Sequence, residues 1–268
     1  MTDAAALAAT VLRDARRAGA ARTLLLDLDG TLAPIAPTPD AARVPAATLA
    51  TLRRLLRRGW SVAIVSGRPA AELRRMVPVR GVRCFGSHGA EGAWTPGGRQ
   101  ALDPALRRAR AALGRRAGAL LAGYPEVRFE RKPAGLAFHD RALKGARLRA
   151  WRRRLRAWLD RQDLTGFEVI RGKRVVELRP RGVDKGAVVR AMPRIASRKR
   201  RDATLVAIGD DRTDEDLFHA LRGRGLAIRV GRTLRGSQAR HRLPSVRAVA
   251  DFLARLAPPQ RSGASAAS

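Results

Sequence analysis

The chain has 268 residues, 45% of them apolar, which is enough for a sizeable core and excludes disorder over most of its length. No apolar run approaches a membrane span, and the single cysteine, Cys84, excludes an internal disulfide or a cysteine-based zinc site and fits a reducing, cytoplasmic setting. The formal charge of +32 admits a nucleic-acid binder, but only five of the 55 basic residues are Lys, the Arg residues spread over most predicted helices, and aromatics are 4%, too few for stacking platforms. A solvated basic surface is therefore the expectation.

Residues 1–20 contain Asp3 and Asp14 and no compact apolar region, so a leading amphipathic helix is expected in place of a signal peptide. Leu24-Leu25-Leu26 is then an apolar run of strand length that ends in Asp27-Leu28-Asp29-Gly30-Thr31. At the carboxyl end of a parallel strand, side chains face the ligand crevice, and Gly30 lets the chain turn sharply. Asp-x-Asp alone reads as readily as an acidic turn, but Gly-Thr directly after it tips the reading toward function. Two carboxylates this close repel unless a cation lies between them or one keeps its proton. Oxygen ligands suit a hard ion such as Mg²⁺; the first Asp could attack a phosphoryl group and the second handle a proton.

Leu49, Leu52, Leu55 and Leu56 recur at helical spacing within 44–58, and Gly59 ends that helix. A buried strand, Ser61 to Val65, leads into Ser66-Gly67-Arg68-Pro69, where Pro69 is expected at the first helical position. Ser66 is either a helix cap or a donor to an anion. Arg83 to Phe85 is a short strand running into the glycine-bearing loop 86–92, which holds His88 and Glu91. A further short strand and a turn at 94–98 follow.

Composition shifts near Leu102. A helix from Pro104 to Ala122, strands 127–132 and 136–139, a helix from Leu143 to Arg161 and strands 167–170 and 174–178 make a helix-hairpin-helix-hairpin unit. Trp151 and Trp158 lie at helical spacing and read as packing against the hairpins. Asp184-Lys185-Gly186 then opens a helix expected over 187–195. A lysine at a helix start is disfavoured by the dipole unless an anion is present, which makes Lys185 a candidate anion ligand. The strand 203–208 ends in Gly209-Asp210-Asp211-Arg212-Thr213-Asp214-Glu215-Asp216, five acids in seven residues of a very basic chain. That run is either a solvated helix start or a source of metal ligands. A strand at 226–230 and a helix at 246–256 close the pattern, and 257–268 is expected to be a disordered tail.

Asp27-x-Asp29-Gly-Thr, Ser66, Lys185 and Gly-Asp210-Asp211-x-x-Asp214 together resemble the four motifs of the haloacid-dehalogenase-like (HAD) hydrolases. The chain resembles the trehalose-6-phosphate phosphatase family more closely. That resemblance rests on residues 27–35, Ser66-Gly67-Arg68, 86–91, Glu130-Arg131-Lys132, His139-Asp140-Arg141, Glu177 to Pro180, Asp184-Lys185-Gly186 and 209–215. It departs at Asp140, where the family often has Tyr, and at Val183, where it often has Trp.

The resemblance implies an α/β protein: a HAD-like Rossmannoid core with a parallel sheet at 1–103 and 181–268, and a smaller inserted α+β cap at 104–180. It implies that Asp27 is the nucleophile, Asp29 the acid and base, and Ser66 and Lys185 the phosphoryl ligands. Mg²⁺ would be held by Asp27, the carbonyl of Asp29 and Asp210, with Asp211 and Asp214 close by. Substrate contacts would come from Gly30, Thr31, Ser66, Gly67, Arg68, His88, Glu91, Glu130, Lys132, Glu177 and Arg179, with Arg179 and His139 as readily pairing within the cap. The implied reaction is hydrolysis of trehalose 6-phosphate, coupled to a trehalose-6-phosphate synthase. Other sugar phosphates, sucrose phosphate among them, are the alternative, and a basic nucleic-acid binder on a vestigial fold is a distant one. Neither a membrane nor a nucleic-acid partner is expected.

Overall fold

The computed structural model describes residues 3–17, 21–92, 103–172, 174–192 and 204–258. Strands β1 (Arg22–Leu26), β2 (Trp60–Val65), β3 (Arg83–Phe85), β8 (Thr204–Gly209), β9 (Leu226–Val230) and β10 (His241–Leu243) form one parallel sheet in the order β10-β9-β8-β1-β2-β3. The chain winds outward from β1 to β3, then returns to lie on the other side of β1. The order therefore reverses at β1, where a parallel sheet opens a crevice beyond its carboxyl ends.

The apolar runs are continuous because both faces are covered. Leu24, Leu26, Val62, Ile64, Val206 and Ile208 face one core, shared with Leu7 and Val11 of α1 (Ala4–Arg17), Leu52 of α2 (Ala46–Arg57) and Phe252 of α8 (Val246–Leu256). Their alternates Leu25, Ala63, Val65 and Ala207 face the other core, with Val188 of α6 (Lys185–Arg190) and Phe218 of α7 (Glu215–Ala220). Period-two alternation thus sends neighbouring residues to opposite helix layers. Helix α3 (Ala70–Met76) follows β2 and anchors through Leu73.

The second unit holds α4 (Pro104–Leu121), β4 (Arg128–Arg131), β5 (Leu136–His139), α5 (Gly145–Leu159), β6 (Phe167–Gly172) and β7 (Val175–Pro180), with an antiparallel sheet in the order β4-β5-β7-β6. Its two helices bury Leu113, Ala117, Trp151 and Leu155 against Phe138, Phe167 and Leu178. Trp151 and Trp158 pack on Phe138 with ring centroids at 6.2 and 5.8 Å, so the tryptophans serve the cap core as expected.

Asp140, at the departure from the family pattern, is buried and takes Arg152 at 2.8 Å and Arg174 at 3.4 Å. Arg174 also donates to the carbonyls of Asp140, Arg141 and Leu143. Asp140 therefore locks the turn between β5 and α5.

The elements differ from expectation in several places. Pro69 precedes α3 as its cap residue, leaving Ala70 as the first helical position. Helix α6 begins at Lys185, two residues early, because the Asp184 carboxylate accepts from the Ala187 amide at 2.8 Å and caps it there. It ends at Arg190, with Ala191 as its cap residue, short of the expected 195; the expected turn at 94–98 lies outside the described residues. In place of a further strand after β3 there is a single bridge between Gly86 and Glu91. Strand β10 is an element without a counterpart among those expected, and helix α7 is the helix start that the acidic run allowed. Of the expected tail, Ala257 is buried and its carbonyl accepts from Arg54 at 3.0 Å; 259–268 lie outside the described residues. No helix among the described residues is long and apolar enough to cross a membrane.

Candidate active site

Asp27, Ser66 and Asp210 each follow a strand at the carboxyl edge of the parallel sheet, and Lys185 opens helix α6. The Asp27 amide donates to the Ile208 carbonyl at 2.9 Å, continuing the β1–β8 ladder by one rung, and its side chain is buried. The next residues wind tightly: the amides of Leu32 and Ala33 both donate to the Leu28 carbonyl at 2.8 Å. Gly30 sits at φ 82°, and a Cβ there would lie 2.2 Å from Asp210 Oδ2. Only glycine satisfies both the left-handed backbone and that close approach.

Lys185 is buried between two carboxylates. Its Nζ donates to Asp27 Oδ1 at 2.6 Å and to Asp214 Oδ1 at 2.7 Å. Burial alone would lower the lysine pKa, but the charges of Asp214 and Asp27 outweigh it and raise it. Burial pushes the Asp27 pKa well up; Lys185 pulls against that, and Asp214 and Asp210 add to it. Asp210 is pushed up to about 7, first by burial and then by Asp214 and Asp211. Carboxylate oxygens of Asp27, Asp210 and Asp214 lie within 4.8 Å of one another, and Asp210 Oδ1 is buried without a hydrogen-bond partner. One lysine charge does not balance three acids, so the donor set fits a hard divalent cation.

The acidic run is divided by its fold. Asp214 is fully buried, and the Asp211 amide donates to its Oδ2 at 2.9 Å. The Asp211 side chain is exposed, and the carboxylate cluster does not include it. Nor does the cluster include the Asp29 carboxylate, which is gripped by Arg68: Nε reaches Oδ2 at 2.6 Å and Nη2 reaches Oδ1 at 2.7 Å.

Ser66 is buried at the end of β2. Its Oγ accepts from the Arg68 amide at 3.3 Å, and its carbonyl accepts from the His88 amide at 2.9 Å. Thr31 is buried nearby with its Oγ1 unpartnered. Ser87 and His88 both take left-handed backbone, at φ 48° and 58°, which costs a non-glycine residue about 1–2 kcal/mol. Ser87 Oγ donates to Glu91 at 2.6 Å and its amide to the Arg68 carbonyl at 2.9 Å, so Glu91 braces this loop. The strained loop folds the His88 ring over Gly67, where a Cβ would lie 2.8 Å from the imidazole.

His88 is the point at which core and cap meet. Its Nε2 lies 3.3 Å from Glu177 Oε2, which also accepts from Lys132 Nζ at 2.9 Å, and all three side chains are buried. Glu130 pairs instead with His139 at 3.0 Å, with Lys132 close enough to help depress its pKa against the effect of burial. Arg179 reaches Glu168 at 2.9 Å and, across the boundary, Asp216 at 3.4 Å. Arg141 donates to the Ala36 carbonyl at 2.8 Å, a further bond between cap and core.

Sequence reasoning did not assign Glu72 or Asp216 to this region. Glu72 lies four residues beyond Arg68 and pairs with it; that helical spacing was a usable signal. The Arg179–Asp216 contact had none, because it joins distant elements.

A family model described as trehalose-phosphatase matches residues 25–246, which spans the sheet, the cap and every site residue above. The chain belongs to the trehalose-phosphatase family. A probable trehalose-phosphate phosphatase of Sinorhizobium fredii is 35% identical over 242 residues, covering 87% of each chain. A trehalose-phosphate phosphatase of Mycolicibacterium paratuberculosis is 37% identical over 251 residues, covering 90% of this chain and 63% of that longer protein. Among solved structures, a trehalose-6-phosphate phosphatase related protein is 27% identical with a TM-score of 0.67, over 86% of this chain and 95% of its own. The C-terminal domain of the C. albicans trehalose-6-phosphate phosphatase shares the fold, with a TM-score of 0.77 at 24% identity over 93% of this chain and 96% of that one. Both solved structures match this chain over most of its length, through the parallel sheet and the segment inserted in it.

Proposed function

We propose that this protein hydrolyses trehalose 6-phosphate to trehalose and phosphate. The observation that carries the reading is Asp27, buried at the reversal point of the sheet beside Lys185, Asp210 and Asp214, in a chain of the trehalose-phosphatase family. An Asp27 carboxylate oxygen attacks phosphorus, and the bond from phosphorus to the sugar oxygen breaks. Asp29 gives that oxygen its proton. Water then attacks the aspartyl-phosphate, Asp29 takes the proton, and phosphate leaves with Asp27 restored.

Ser66 and Lys185 hold the phosphoryl oxygens, supplying position and positive charge to a transferring group. Asp27, Asp210 and Asp214, with the Asp29 carbonyl, would hold Mg²⁺, which when bound neutralises charge on the phosphoryl oxygens. The segment 104–180 acts as the cap over 1–103 and 181–268. Its Glu130, Lys132 and Glu177 complement sugar hydroxyls, since carboxylates accept and lysine donates. A synthase that makes the same sugar phosphate is the expected upstream partner, in a cytoplasmic setting. Phosphate release across a panel of sugar phosphates tests the reading. Selective turnover of trehalose 6-phosphate is the expected result, and preference for sucrose phosphate would replace it.

A further inference from the structure

Arg68 is placed unlike a substrate ligand. Its side chain is 10% exposed, and its donors are taken by protein groups: the fork to Asp29, the Pro39 carbonyl at 2.9 Å and Glu72. Asp29 is the open partner, with 36% of its side chain exposed. A guanidinium fork fixes the plane of a carboxylate as well as its position, which a lysine point charge does not. The fork occupies one lone pair on each Asp29 oxygen and leaves each oxygen a second. Asp29 otherwise sits on a wound loop, and the side-chain hydrogen bonds the structure gives it are those from Arg68.

We propose that Arg68 is a positioning residue, aiming Asp29 at the reacting oxygens, and that Glu72 and the Pro39 carbonyl hold Arg68 in turn. The inference rests on Asp29 being the acid and base of the proposed reaction. It reassigns Arg68, which the family resemblance implies as a substrate contact. Ser-Gly-Arg then serves two ends: Ser66 faces the phosphoryl group, while Arg68 turns back to orient the second aspartate of the first motif. Proximity effects are steep, so a loosened Asp29 lowers the rate of the chemical step and leaves ground-state binding largely alone.

The test is a double-mutant cycle with Arg68→Ala, Asp29→Asn and the double variant, assayed by single-turnover phosphate release from trehalose 6-phosphate so that slow variants remain measurable. Steady-state constants are measured for Arg68→Ala and Arg68→Lys. In Arg68→Ala, kcat is expected to fall on the order of tenfold to a hundredfold, with KM changed less than about threefold. Arg68→Lys should recover little, and added methylguanidinium should recover more. In the Asp29→Asn background, Arg68→Ala should cost less than about twofold. A rise in KM at unchanged kcat would make Arg68 a substrate ligand and overturn the proposal, as would an equal loss in both backgrounds. If Arg68→Ala does not fold, Glu72→Gln takes its place, with a smaller loss that must likewise vanish beside Asp29→Asn. Full activity in Asp27→Asn would instead defeat the proposed reaction itself, a result separate from the cycle.

Discussion

Lys185 reaches Asp27 at 2.6 Å although the two residues stand 158 positions apart in the chain. The contact joins the start of the first core segment to the start of the second, and the whole cap lies between them in sequence. Lys185 comes from a capped helix start and Asp27 from a strand end, so two independent backbone elements fix the pair.

Asp27→Asn should keep the fold and lose the reaction. The amide has the shape of the carboxylate but is no nucleophile. A loss of at least about a thousandfold in kcat is expected at near-native thermal stability. Retention of more than a tenth of the activity would remove Asp27 from the chemistry.

Lys185→Ala should be costly to the fold as well. It leaves Asp27 and Asp214 buried without their shared countercharge, and breaking a buried pair in this way costs about 3–5 kcal/mol. Urea unfolding in the presence of EDTA measures it. A midpoint unchanged from the wild type would mean the acids are relieved by some other route.

Mg²⁺ should raise the melting temperature as its concentration rises, because a ligand that binds only the folded state stabilises it by mass action. The crowding of Asp27, Asp210 and Asp214 and the unpartnered Asp210 Oδ1 motivate this. EDTA should abolish activity and Mg²⁺ restore it, and Asp210→Asn should weaken both responses. Full turnover in excess chelator would refute the metal reading.

The cap variants should separate binding from structure. Glu130→Ala leaves the His88–Glu177–Lys132 contacts in place, so it should lower kcat/KM for the disaccharide phosphate about tenfold to a hundredfold, the worth of a charged hydrogen bond at ~1.5–3 kcal/mol. Turnover of p-nitrophenyl phosphate should fall far less. Glu177→Ala also frees His88 and Lys132 and should lower both activities and the melting temperature. Equal losses on the two substrates for Glu130→Ala would mean that its pair with His139 serves only the fold.

Acid should loosen the same junction. Burial holds the His88 imidazole below its ordinary 6.5, against the pull of Glu177. Burial raises the Glu177 carboxyl, but His88 and Lys132 outweigh it and bring it from 4.5 to about 2. In both cases the unfolded chain takes up protons more readily, so stability falls as pH falls. The His88 share fades below 6.5, and the Glu177 share between about 4.5 and 2. Melting temperatures from pH 7 to 4 should decline less steeply in a His88→Asn, Glu177→Gln variant; asparagine tolerates the left-handed backbone at His88. An unchanged slope would place the acid sensitivity elsewhere.

Apolar runs broken by Asp27, Ser66 and Asp210 were enough to define a parallel α/β core with its chemistry at one edge. Strand residues send their side chains to known faces, and a strand end in such a sheet opens on the crevice. The hairpins and Trp-bearing helix of the cap were legible for the same local reason. Local spacing does not say which distant groups meet. Asp211 and Asp214 belong to one acidic run, yet the turn after β8 buries the second and exposes the first. Glu130 and Lys132 stand two apart and were expected on one strand face, yet β4 ends before Lys132, and one pairs with His139 and the other with Glu177. Arg68 turned to Asp29, and Arg179 to Asp216. Those choices depend on how the cap seats on the core and on which carboxylate lies within reach of each long basic side chain. In a chain with so many arginines, only the tertiary structure decides which of them is buried beside an acid and which stays in water.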